Sequence, residues 1–187
     1  MTSIVAFQGE SGAFSEAAAA ELADGPIALL PCATFDAAIR TVVDGHADFA
    51  VLPVENAIAG PVHAATDAMR PFASLETVRE MKLPVHLALL GIPGATVADI
   101  REVLSHDVAL RQCTRFLGEH AEIRAVVAHD TGGAARLVGI RRDHSVAAIA
   151  APWAAALYGL VVLAEDVQDV RDNWTRFILV RRKATTI

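Results

Sequence analysis

The chain has 187 residues, 53% of them hydrophobic and 5% aromatic, with a formal net charge of −6. That apolar content excludes a disordered chain, and the acidic balance excludes nucleic acid and anionic membrane surfaces as partners. Two distant cysteines, no secretory signal after Met1 and no apolar run of membrane-spanning length lead to the expectation of a cytoplasmic protein with free thiols.

Residues 3–8 read as a first strand, followed by Gly9-Glu10-Ser11-Gly12-Ala13-Phe14-Ser15 and an Ala-rich helix over 16–23. Backbone N–H groups at such a turn suit an anion; alternatively the turn is a tight connection capped by Ser15. Its glycine spacing matches neither a dinucleotide fingerprint nor a phosphate loop. A short strand over 27–30 leads to a helix over 35–43 capped by Thr34. The next strand spans 48–54, and its Phe49-Ala50-Val51-Leu52 run is apolar throughout, as a strand buried on both faces is. It runs into Pro53-Val54-Glu55-Asn56. Asn56 then lies at a strand's carboxyl end, where open α/β sheets bind ligands, or is a turn residue bonding its own backbone. A helix over 62–69 follows.

Residues 76–90 form two consecutive strand segments, because Pro84 is poorly tolerated inside a central ladder. A short helix and strand fill 97–104, and Ser105-His106-Asp107 starts a helix over 108–118, capped by Ser105 or Asp107. Gln112, two turns after Ser105, shares a face with it on that reading. Thr114-Arg115-Phe116 falls mid-helix, with Phe116 as core and Arg115 as solvated surface. A strand over 121–128, a helix opened by Asp130-Thr131-Gly132-Gly133, a strand over 145–150, a helix from Pro152 to Gly159 and a strand over 160–163 complete the middle of the chain.

The last stretch, 172–180, is a polar loop feeding a strand, a junction that often carries site residues. Thr175 offers a hydroxyl that donates and accepts, Arg176 a planar fork suited to a carboxylate, and Phe177 an apolar wall. The seven histidines show no metal-ligand spacing. Strand and helix alternate about six times, which predicts a parallel α/β architecture. Extended crossings near 76–84 and 158–166 divide the chain into two α/β lobes with a cleft between them. The expected first lobe holds residues 1–76 plus 164–187 and the second 77–163.

Five strings occur in the order found in prephenate dehydratases: Gly9 to Glu16, Pro53-Val54-Glu55-Asn56, Ser105-His106 with Gln112-Cys113, Ala155-Ala156-Leu157-Tyr158-Gly159-Leu160, and Asn173-Trp174-Thr175-Arg176-Phe177. The chain resembles that catalytic domain from end to end. The resemblance implies two lobes of the type II periplasmic-binding-protein kind. It also implies conversion of prephenate to phenylpyruvate, water and carbon dioxide, on the way to phenylalanine, by a homodimer or higher homo-oligomer.

Carried over by position, the family's essential threonine is Thr175, and its active-site asparagine, serine and glutamine are Asn56, Ser105 and Gln112. Glu55 and Arg176 match further motif residues. Gly12, Ala13, Phe14, Phe177 and Thr131 complete the expected substrate-binding set, with neutral donors at the Gly12 turn and at the helix starts near Ser105 and Thr131. The family has Ser or Thr where this chain has Ala57. Its regulatory ACT domain is not expected here, since the chain stops ten residues after Phe177.

The reaction needs no redox cofactor and no metal. Its barrier lies in expelling hydroxide, and a hydrogen bond from Thr175, backed by water or Glu55, stabilises that charge as it develops. Arg176 either clamps the pyruvyl carboxylate or, pointing away from Thr175 along an extended strand, orients the loop. The rival readings are an arogenate dehydratase, a prephenate decarboxylase on the same scaffold, and a non-catalytic binder of small anions.

Overall fold

A computed structural model describes residues 2–184. The elements run β1 (Ser3–Gln8), α1 (Phe14–Leu22), β2 (Ile27–Cys32), α2 (Phe35–Val43), β3 (Phe49–Asn56), β4 (Gly60–Pro61), α3 (His63–Met69) and β5 (Leu75–Pro84). They continue with β6 (Ala88–Gly91), a 3-10 turn (Val97–Asp99), β7 (Glu102–Ser105), α4 (Asp107–Arg111), α5 (Thr114–Glu119) and β8 (Arg124–Val127). The last are α6 (Thr131–Arg141), β9 (Val146–Ala150), α7 (Ala154–Tyr158), β10 (Val161–Ala164) and β11 (Trp174–Arg182).

The described chain separates into two compact α/β units. One takes the residues up to Glu10, Phe14–Pro84, and those from Trp174 onward; the other takes Ser11–Ala13 and Val85–Asn173. Apart from the short Ser11–Ala13 stretch, the changes of unit fall after Pro84 and after Asn173, later than the crossings expected at 76 and 163. The reason is pairing. β5 is laddered to β11 along its whole length, from Leu75 opposite Arg182 to Pro84 opposite Trp174, so it stays with the first sheet. Residue 1 and residues 185–187 of the expected first lobe lie outside the described residues.

In the first unit the strand order is β2-β1-β3-β11-β5, with β4 paired to β3. β1 is parallel to β2 and β3, whereas β11 is antiparallel to β3 and β5. The sheet is therefore mixed rather than wholly parallel. No crossover helix directly precedes β11, so nothing forces it to enter in the direction of its neighbours. Period-two alternation sorts the side chains onto two faces. Val5, Val51, Phe177 and Leu179 pack with Ala18, Ala19 and Leu22 of α1. Ala6, Ala50, Leu52, Ile178 and Val180 pack with Ala38, Ile39 and Val42 of α2 and Ala65 of α3. With both faces covered, β3 and β11 read as continuous apolar runs.

In the second unit the order is β10-β6-β9-β7-β8. β7 is parallel to β8 and β9, while β6 is antiparallel to β9 and β10. Ala134, Ala135 and Val138 of α6 and Ala154 and Ala155 of α7 pack on Ala88, Leu90, Leu104, Ala148 and Ala150. So many alanines let these helices lie close to the sheet.

Both cysteines are free. Burial, reinforced by the nearby charge of Asp169, pushes the Cys113 thiol up to about 12, and burial also raises that of Cys32. At pH 8 a thiol with a pKa of about 12 is thiolate in only about one molecule in ten thousand. Titration of native protein with an aromatic disulfide reagent is therefore expected to leave Cys113 unmodified until denaturant is added. Rapid native labelling of Cys113, located by peptide mass, would contradict this burial.

Candidate functional site

β3 ends on Asn56, which pairs in register with Thr175 near the start of β11. The Asn56 side chain is almost buried, at 8% exposure, and its hydrogen bonds within this unit have a defined direction. Its Oδ1 accepts from the backbone N–H of Ile58 at 3.1 Å and of Ala59 at 2.9 Å. Those two groups only donate, so the oxygen must face them and Nδ2 must face the other way. Nδ2 donates to the Trp174 carbonyl and to Thr175 Oγ1, both at 3.0 Å. Thr175 Oγ1 is consequently an acceptor in this pair, and no group among the described residues takes its proton. The result is a half-buried hydroxyl with its hydrogen left to donate and its oxygen polarised by the amide behind it. Asn56 is thus both the turn residue and the site residue, two roles the sequence leaves as alternatives.

Arg176 lies within β11, not before it, so it points to the face opposite Thr175. Its Nε donates to Glu55 Oε2 and its guanidinium to Glu80 Oε2, each at 3.1 Å. Glu55 is its register partner on β3. These carboxylates, Glu55 first, hold the guanidinium charged more firmly than usual. Of the two roles open for Arg176, the one seen here is a tie between strands: with Glu55 on β3 and Glu80 on β5 it links three strands, and the Glu55 carboxylate faces that guanidinium. Phe177 faces the interior of its own unit. It is 2% exposed, packed under α1, and supports the sheet rather than walling a ligand. Phe14 is the first residue of α1 and packs against the same core.

In the second unit Ser105 is fully buried at the end of β7, and its hydroxyl donates to the Ile149 carbonyl at 2.6 Å. It fastens β7 to β9, and its proton is unavailable to a substrate. The helix expected over 108–118 breaks into α4 and α5, with Gln112 capping the end of α4 and Cys113 opening α5. Ser105 and Gln112 therefore share no helix face. His106, not Ser105 or Asp107, is the N-cap of α4, its Nδ1 accepting from Val108 N–H at 3.3 Å.

Gln112 is 7% exposed, and its Oε1 accepts from Asn173 Nδ2 at 3.1 Å. Thr131 opens α6 behind the N-cap Asp130, whose Oδ1 accepts from Gly133 N–H at 2.8 Å. A carboxylate of the chain itself thus complements this helix start, beside Thr131.

The Gly12 turn is built on a left-handed residue, φ +87°, with Ser11 O accepting the Tyr158 hydroxyl at 2.6 Å. A Cβ at Gly12 would stand 3.1 Å from Ala154 Cβ, and Ala13 is buried behind it. Gly12→Ala is expected to lower stability by about 1–2 kcal/mol from the backbone alone. An unchanged urea midpoint would show that the turn adapts.

Two residues absent from the sequence-based set organise this unit. Asn173 is 2% exposed and donates its Nδ2 to Gln112 Oε1. Asp169 accepts from Thr114 N–H, Thr114 Oγ1 and Arg115 N–H at 3.0, 2.7 and 2.9 Å. Partial burial alone would raise the Asp169 carboxyl, yet the Thr114 and Arg115 bonds hold it below its usual range. Thr114-Arg115 is thus the exposed first turn of a helix, not mid-helix, and Phe116 is half-buried rather than core. Asn173 is legible in the sequence as part of a motif. Asp169, 55 residues from Thr114, carries no spacing signal. Among the described residues no three His, Cys, Asp or Glu side chains converge as a metal site requires.

The chain matches the family model for prephenate dehydratase over residues 5–185. The chloroplastic arogenate dehydratase/prephenate dehydratase 2 of Arabidopsis thaliana is 41% identical over 179 residues, covering 96% of this chain and 46% of that protein. A bifunctional N-acyl-homoserine lactone acylase/prephenate dehydratase of Komagataeibacter europaeus is 40% identical over 184 residues, covering 98% of this chain and 64% of that protein. The crystal structure of prephenate dehydratase in complex with L-Phe from Arthrobacter aurescens superposes with a TM-score of 0.84 at 35% identity, over 97% of this chain and 61% of that one. The chain spans about half the length of several curated relatives it matches. With a match over nearly its whole length, this chain belongs to the prephenate dehydratase family.

Proposed function

We propose that the chain is the catalytic domain of a carbon–oxygen lyase that converts prephenate to phenylpyruvate, carbon dioxide and water. The observation that carries this reading is the Asn56–Thr175 pair, whose polarity turns the threonine hydroxyl into a donor. As the ring carboxylate leaves as carbon dioxide, its electron pair enters the ring and the bond to the ring hydroxyl breaks. Charge grows on the departing oxygen, which ends as water by taking a proton from solvent. A donor aimed at that oxygen stabilises the transition state more than the ground state, by about 3–4 kcal/mol for comparable donors. The threonine does not surrender its own proton, since an aliphatic hydroxyl is far too weak an acid at neutral pH.

Gln112 and the Ser11–Ala13 turn are assigned to substrate binding, as hydrogen-bonding groups held in fixed orientation. The reading includes a cytoplasmic location, supported by two free thiols, and a homodimer or higher homo-oligomer, supported by family membership. Relatives named arogenate dehydratases favour a second substrate that carries an amino group in place of the side-chain keto group. The test is to incubate purified protein with prephenate and with arogenate and to weigh the products. Phenylpyruvate from prephenate supports the assignment, and phenylalanine formed only from arogenate supports the second substrate. Decarboxylation with the oxygen retained, or saturable binding without product, overturns both.

A further inference from the structure

β3 carries one residue more than its ladder with β11 uses. Arg176 stands opposite Glu55 and Phe177 opposite Pro53, so Val54 is passed over. β11 stays in step with β5 through the same stretch, with Arg176 opposite Lys82 and Phe177 opposite Met81. The extra residue therefore belongs to β3, as a β-bulge at Val54. The Val54 carbonyl accepts from Val62 N–H at 3.0 Å, outside that ladder.

The bulge changes which way the next two side chains point. Leu52 and Val54 pack with α2 and α3, whereas Phe177, Leu179 and Leu83, which is opposite Thr175, pack with α1. Alternation along β11 puts Thr175 on that α1 face too. Continued without a bulge, β3 would set Glu55 on the same face and Asn56 on the other, because a one-residue shift exchanges the faces. The contacts are the reverse: Asn56 Nδ2 donates to Thr175 Oγ1, and Glu55 accepts from Arg176. Ala57 N–H donates to the Trp174 carbonyl at 2.9 Å, one rung along. Asn56 and Thr175 are therefore a non-hydrogen-bonded pair, the kind whose side chains stand closest. A carboxylate in the place of that amide would only accept, and the threonine hydroxyl would have to give its proton to it.

Pro53 supplies a cause. β3 is an inner strand between β1 and β11, and proline, with no N–H to donate, is placed inside a sheet at an edge or a bulge. The residue after Pro53 is the one that the ladder skips. We infer that Pro53 is a positioning residue: by holding the bulge at Val54 it selects Asn56, and not Glu55, as the partner of the Thr175 hydroxyl. Its effect on turnover rests on the proposed dehydratase reading; its effect on the strand does not.

Pro53→Val in the full chain tests it, since valine restores an N–H and a strand-forming side chain. The regular ladder that it favours brings Glu55 opposite Thr175. Turnover of prephenate is expected to fall about 100-fold, mainly in kcat, on the scale of a lost oxyanion donor. Adding Glu55→Asn returns a carboxamide to that place and is expected to recover about tenfold, whereas Glu55→Asn alone removes the Arg176 tie and brings no gain. Pro53→Ala serves if Pro53→Val does not fold, with the same exchange expected. One readout needs no turnover, and it holds or fails even if the parent forms no phenylpyruvate. In a proton NOE spectrum the Hα of Thr175 should contact the Hα of Asn56 in the parent and that of Glu55 in Pro53→Val. A contact that stays with Asn56 overturns the inference whatever happens to kcat, and leaves Pro53 a merely structural residue. A contact that moves to Glu55 with no loss of kcat, in a parent that turns over prephenate, overturns it as well.

Discussion

Replacing Thr175 by Ala is expected to lower kcat about 100- to 1,000-fold while KM stays within about threefold, the pattern for loss of a donor that acts mainly in the transition state. The side chain is half-buried at the edge of a well-laddered strand, and no described group depends on its proton. Removing it leaves the Asn56 amide one of its two acceptors, the Trp174 carbonyl, so the fold should survive. Thr175→Ser keeps the oxygen and is expected to retain activity to within about tenfold, the residual loss reflecting a looser rotamer without the β-methyl. Stopped assays on prephenate, with thermal unfolding as the control, decide the matter. Wild-type kcat in Thr175→Ala would remove this residue from the chemistry.

Asn56→Asp is expected to cost nearly as much activity, for a different physical reason. The aspartate keeps an oxygen for the N–H groups of Ile58 and Ala59, so the turn after β3 survives. Its other oxygen replaces the donor that now meets Thr175 Oγ1 and the Trp174 carbonyl. The threonine hydroxyl must then give its proton to the carboxylate, which reverses the bond and withdraws the donor from any substrate. The new charge also repels a dianion. A fall in kcat of about 100-fold or more is expected on the scale of a lost oxyanion donor. Lowering the pH until the introduced carboxyl is protonated should restore part of it, because a neutral acid can donate to Oγ1 again. A pH-independent deficit would show that the polarity of this bond is not what matters.

Much of this arrangement is legible in the amino-acid order. The apolar runs at 49–52 and 177–180 read as buried strands because both faces are covered, and they are the centre of the first sheet. The turn at Gly12 is marked by its glycine, which adopts the left-handed backbone. Periodicity misleads where a helix pattern is continuous across a break: 108–118 looks helical throughout, but Gln112 and Cys113 turn a corner whose supports, Asp169 and Asn173, lie far along the chain. Charge alone leaves Arg176 open. A guanidinium next to the candidate hydroxyl suits a carboxylate clamp or a tie within the fold, and here strand alternation sets it on the other face against the carboxylates of Glu55 and Glu80.

Local physics is enough to say which residues form strands, which glycine turns the chain and which polar side chains stand at strand ends. It follows from propensities and periods that act over a few neighbours. The direction of each hydrogen bond is beyond it. Whether Thr175 donates or accepts toward its partner is decided by an amide 119 residues away, itself oriented by the N–H groups of Ile58 and Ala59. Such assignments come only from packing, because a hydroxyl or a carboxamide has no polarity of its own until a neighbour with a fixed one is placed against it.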